Sequence, residues 1–148
     1  MDAPADTRFG RLTLTIAGLA AMVTYLDTTI LFVAFPDITR NFGESPASTL
    51  SWVLNGYTII FAALLVPMGK LADRLGHKRA FLVGFTTFTV ASLGCGLAPS
   101  VELLIVTRVL QGIGAAILIP ASLALVMAAY PREKLPQVVA IWGAIGAM

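Results

Sequence analysis

The stretch TYLDTTILFVAFPD, residues 24–37, sets the carboxylate of Asp27 inside an otherwise apolar run, and LLIVTRVLQGIGAAILIP does the same for the cation of Arg108. An isolated ion in hydrocarbon costs several kcal/mol, so each should face a bundle interior or a wet cavity, near an opposite charge. The chemistry such a pair offers is proton exchange. An apolar pocket favours the neutral acid and a nearby cation favours the ionised one, so a carboxyl held between them can change charge when its surroundings rearrange. Asp27 is therefore a candidate proton-coupling group, with Arg108 as the residue that biases it. The structural alternative is a buried ion pair that only fixes helix packing. Gln111, three residues after Arg108 and near the same helix face, adds a donor and an acceptor. Thr28, Asn55, Tyr57 and Gln111 are candidates for lining a cavity, with interhelical packing as the competing role for Asn55 and Tyr57.

The elements that must position these groups are membrane helices. Hydrophobic residues make up 57% of the 148 and charged residues 12%, about half the charged share of a soluble domain. Mean hydropathy is +0.86. Apolar runs at 12–35, 49–68, 80–98 and 101–129 are each long enough to cross a hydrocarbon core of about 30 Å. A fifth run starts near Gln137, and its residues to Met148 cover only about 18 Å. The expected fold is all-α, a polytopic transmembrane bundle of four spans and the start of a fifth, behind a tail at 1–11. The tail carries two aspartates against two arginines and the first run is too long for a signal peptide, so 12–35 reads as a retained span. Cys95, the single cysteine, reads as a small packing residue.

Basic residues set the orientation. Arg8, Arg11, Lys70, Arg74, Lys78, Arg79, Arg132 and Lys134, eight of the ten, fall in the tail and in alternate connections, which should therefore be cytoplasmic. The net charge of +2 is explained by this topology rather than by nucleic acid. Trp52 and Tyr130 fit interfacial anchors. Counted from the outer helix ends, Asp27 lies roughly 12 Å deep and Arg108 roughly 10 Å, a shared depth on different helices.

After Arg108, Gly112 and Ala116 form a small-xxx-small pair widened by Gly114 and Ala115, a surface that lets another helix approach closely. Pro120 removes a helical hydrogen bond. The loop GKLADRLGHKRA places Gly69 and Asp73 one helical turn apart, Gly76 where a tight turn is needed, and Lys78 and Arg79 at the start of the third span. Asp73 among these cations can make ion pairs or cap a helix N-terminus, contacts able to form in one arrangement and break in another. His77 reads as a surface histidine with titration near neutral pH as the alternative.

GKLADRLGHKR resembles the signature loop of the major facilitator superfamily, G-x-L-A-D-R-x-G-R-K-R, with His77 in place of a usual arginine or lysine. LLIVTRVLQGIGAA resembles its fourth-helix motif R-x-x-Q-G-x-G-A-A. LDTTILFVAFPDI resembles the first-helix motif L-D-x-T-I-V-N-V-A-L-P of the fourteen-span drug:proton antiporters, except that Phe32 stands for asparagine and Phe35 for leucine. The resemblance implies that Asp27 is the embedded acid of proton and substrate coupling and Arg108 the basic residue of proton transfer. It implies that Gly69, Asp73, Arg74, Gly76, Lys78 and Arg79 belong to the gating loop. It further implies a cavity lined by the first and fourth helices, in two inverted three-helix repeats.

The family's Gly-Pro-rich fifth-helix motif would begin where AIWGAIGAM ends, so the expectation is an N-terminal part of a longer transporter whose remaining C-terminal portion completes the cavity. The expected function is proton-coupled efflux of drugs or amphiphilic compounds at an inner membrane, with small molecules, protons and lipid as partners and no cofactor. Alternatives are transport of a metabolite or siderophore, or a non-transporting membrane assembly protein. No metal cluster, nucleophile–base set or phosphate-binding glycine loop suggests an enzyme.

Overall fold

Apolar runs in a bilayer must satisfy their backbone internally, and this chain does so as helices. The structure, a computed structural model, describes residues 7–43 and 45–147, so most of the tail and Met148 lie outside it. The helices are α1 (Thr7–Asn41), α2 (Ala47–Leu75), α3 (His77–Gly96), α4 (Val101–Ala129) and α5 (Leu135–Gly146), with a single 3₁₀ turn at Arg132–Lys134. Helices α1 to α4 are long and apolar enough to cross a membrane. This is a multi-pass membrane protein.

Two helices outrun the apolar stretches that announced them. The first span, expected to end at Phe35, continues through Pro36 to Asn41, and the second continues through Pro67 to Leu75. A proline inside a helix forfeits one backbone bond, and bundle neighbours make that loss tolerable. Residues 7–11, expected as tail, form the first turns of α1. The expected loop after the second span is likewise mostly helix: Gly69, Asp73 and Arg74 lie on α2, Lys78 and Arg79 on α3, and Gly76 alone separates them. Its φ of +88° is a conformation open to glycine and strained for other residues.

Three buried clusters show how the helices alternate. Leu31, Leu50, Val53, Val101 and Leu104 gather the end of α1 and the starts of α2 and α4 at one end of the bundle. Ala20, Ala72, Ala80, Phe81, Leu118 and Ala121 join α1 to the end of α2, the start of α3 and the later half of α4. Beyond them, Ala17, Val126 and Val138 join α1, α4 and α5. The helix ends carrying the eight basic residues therefore share one end of the bundle.

Helix α4 is the hub, and its small residues explain why. A Cβ on Gly114 would sit 2.6 Å from the Phe88 nitrogen, and one on Gly84 would sit 2.7 Å from the Leu118 nitrogen. Backbone thus meets backbone where α3 crosses α4. On the opposite side a Cβ on Gly112 would come within 2.9 Å of the Tyr57 carbonyl oxygen. Close approach of this kind drives helix association where lipid offers no hydrophobic incentive.

Candidate functional site

Packing α1 against α4 brings Asp27 and Arg108 together. Arg108 Nη1 donates to Asp27 Oδ2 at 2.6 Å, and to Gln111 Oε1 at 2.6 Å. Gln111 Nε2 donates to Asp27 Oδ1 at 2.7 Å. The three side chains close a ring of hydrogen bonds in which acid, cation and amide each touch the other two. Arg108 is 3% exposed and Gln111 0%, whereas the Asp27 side chain keeps 19%. The cation is sealed in and the acid retains an open edge. That asymmetry suits a carboxyl that exchanges a proton beside a fixed charge.

Two contacts in this network lie outside the sequence-based reading. Cys95, read as a packing residue, also directs its thiol to Thr107 Oγ1 at 3.3 Å and to Gln111 Oε1 at 3.6 Å. Thr107 Oγ1 in turn donates to the Leu103 and Leu104 carbonyls. The thiol and Nη1 thus both point at one oxygen of Gln111, leaving its amino group for Asp27. Tyr57 lies with its ring face 4.6 Å from Arg108 Cζ, a cation–π contact in addition to its place at the cavity. Neither relationship has a sequence signature, because each joins residues on different helices.

Beside the network a cavity of about 680 Å³ opens between α1, α2 and α5. Thr28 and Tyr57 line it; Asn55 and Gln111 do not, since Asn55 is exposed elsewhere on α2 and Gln111 is buried in the network. Its aromatic walls come from Tyr25, Tyr57, Phe61 and Trp142, and Trp142 carries no functional signal in the sequence. Thr24, Thr29 and Thr58 also line it, and their hydroxyls donate to the Ala20, Tyr25 and Leu54 carbonyls of their own helices. What they present to the cavity is therefore acceptor oxygen.

At the basic end, Asp73 and His77 face each other across Gly76 with Oδ1 and Nδ1 3.8 Å apart, too long for a hydrogen bond. Asp73 is 72% exposed and caps no helix, for the N-terminus of α3 has no side-chain cap. Gly69 lies against Pro120, with a would-be Cβ 3.6 Å from the proline ring, so this end of α2 touches α4 directly.

The described residues thus form an up-and-down bundle of membrane-length helices with a buried acid–cation–amide ring between the first and the fourth. Residues 17–148 match the Major Facilitator Superfamily, and the chain belongs to that family. It is 40% identical over 91% of its length to a tetracenomycin C resistance and export protein of Streptomyces glaucescens. It is 41% identical over 93% of its length to a multidrug resistance protein of Mycobacterium tuberculosis, and 38% identical over 91% to a methyl viologen resistance protein of Salmonella typhimurium. The matches cover 25%, 26% and 27% of those proteins, so the chain spans about a quarter of the length of the curated relatives it matches. The family is one of transporters, not enzymes.

Proposed function

We propose that this chain supplies the first helices of a proton-coupled exporter of drug-like amphiphilic compounds, of the fourteen-span antiporter type. In this reading Asp27 loads and releases the proton, and Arg108 and Gln111 hold it in the exchange position. The observation that carries the proposal is the closed Asp27–Arg108–Gln111 ring beside an aromatic cavity. Acceptor oxygens and aromatic faces attract cationic amphiphiles. The relatives are named for tetracenomycin C resistance and export, for multidrug resistance and for methyl viologen resistance.

The gating role belongs, on this proposal, to Gly69, Asp73, Arg74, Gly76, Lys78 and Arg79, which rearrange as the cavity changes sides. The shared end of the eight basic residues supports a cytoplasmic N-terminus in an inner membrane. Relatives four times as long support further helices closing the cavity. The test is efflux of a cationic dye by the full-length transporter in everted membrane vesicles under an imposed pH gradient. The proposal expects efflux that collapses with a protonophore; gradient-independent efflux, or none, contradicts it.

A further inference from the structure

Arg108 is the group in the site whose needs are least fully met by hydrogen bonds. Its Nη1 serves both Asp27 and Gln111, while its Nε is buried with no hydrogen-bond partner. With 3% of the side chain exposed, water is not a substitute. The guanidinium lies instead over the face of the Tyr57 ring, whose centroid is 4.6 Å from Cζ. Such a contact is strongest where water is excluded.

Two other contacts hold the ring in place. The Tyr57 carbonyl occupies the gap left by the missing side chain of Gly112, which pins α2 on α4. The ring itself stacks on Phe61, with centroids 6.0 Å apart and planes 6° from parallel. The cation–π contact itself joins only α2 and α4, whereas Asp27 reaches Arg108 from α1; the Tyr57 hydroxyl, which the ring face does not need, also meets Thr28 of α1. The titratable groups that face the cation are Asp27 from α1, Tyr57 from α2 and Cys95 from α3, and α5 has none in its sequence.

The hold of Asp27 on Arg108 depends on the charge of the carboxylate; the hold of the ring does not. We propose that Tyr57 is a positioning residue, whose aromatic face keeps Arg108 in one place through both charge states of Asp27. Proton loading then loosens α1 from α4 without letting the cation follow α1 or swing into the cavity. The functional consequence rests on the proton-coupling reading; the positioning itself does not.

The decisive readout is the Arg108 Nε–H resonance of protein labelled with ¹⁵N-arginine in detergent micelles, identified by its loss in Arg108→Lys. Cζ lies over the aromatic face, so the ring current should shield this neighbouring proton. The shielding should persist in Asp27→Asn and in Tyr57→Phe and vanish in Tyr57→Leu. Its loss in Asp27→Asn, or its survival in Tyr57→Leu, overturns the proposal. Should the leucine variant not fold, a trifluorinated phenylalanine at position 57, matched in shape but with a depleted ring face, takes its place and should release Arg108. In vesicles, Tyr57→Phe, which keeps the aromatic face, should retain about tenfold more efflux than Tyr57→Leu. A phenylalanine variant as poor as the leucine one contradicts the role. If wild-type protein shows no gradient-driven efflux, the exporter reading fails while the resonance still decides the position of Arg108.

Discussion

Asp27 and Gln111 are joined by a 2.7 Å hydrogen bond from Nε2 to Oδ1, and the other end of the same amide takes a bond from Arg108. One side chain thus bridges an acid on α1 and a cation on its own helix. The amide is fully buried, so nothing but these partners and the Cys95 thiol satisfies it.

Gln111→Leu should uncouple this arrangement. It leaves a carboxylate oxygen and an arginine N–H short of a partner, each worth about 1–3 kcal/mol when buried. The expected outcome is gradient-driven efflux reduced at least roughly tenfold, with melting in detergent also lowered. Efflux and melting both at wild-type values would show that the bridge is dispensable.

Gly114→Ala tests the hub. Its new methyl would lie 2.6 Å from the Phe88 nitrogen and 3.1 Å from the Gly84 oxygen, and backbone atoms cannot rotate away. Overpacking of this kind costs about 1–3 kcal/mol. Gly96→Ala, with open space around the position, is the control and should melt as wild type does.

Gly143→Leu tests the cavity. This glycine lines the space, and a Cβ there meets nothing within 4 Å. The variant should therefore fold normally and lose volume where substrate is proposed to bind. A raised KM for bulky dyes with unchanged melting is expected, and unchanged KM values for dyes of all sizes would place the binding site elsewhere.

Asp73→Asn separates gating from folding. Asp73 is largely exposed and only 3.8 Å from His77 at its nearest approach, the kind of surface pair worth about 0–1 kcal/mol. Melting should hardly move, so loss of efflux in this variant would report gating. Gly76→Ala, by contrast, forces a φ of +88° on a residue with a side chain and should destabilise by roughly 1–3 kcal/mol, measured by thermal unfolding.

Much of the fold is legible in the sequence because the bilayer imposes a minimum apolar length, and each run of that length became a helix. Helix ends were less legible. Hydropathy falls at Pro36 and at Gly69, but hydrogen bonding continues to Asn41 and Leu75, since helical structure does not require an apolar sequence. In the site, Asp27, Arg108 and Gln111 stand out because charge and amide are rare inside spans. Tyr57 stands out only as a candidate for the cavity and not as a partner of Arg108, and Cys95 and Trp142 do not stand out, for aromatic and small residues are ordinary there. Their roles follow from helix crossings set by Gly112, Gly114 and Gly84, which fix contacts between residues 16 to more than 50 positions apart in sequence.

The most direct test of the central claim is Asp27→Asn in the full-length transporter, compared with wild type for pH-gradient-driven efflux of a cationic dye in vesicles containing equal amounts of inserted protein. The amide keeps the size of the side chain and removes its titration. The account predicts normal insertion and abolished gradient-driven efflux, with dye still bound. Retained gradient-driven efflux would mean that the proton is carried by another group and that the Asp27–Arg108–Gln111 ring is a packing device.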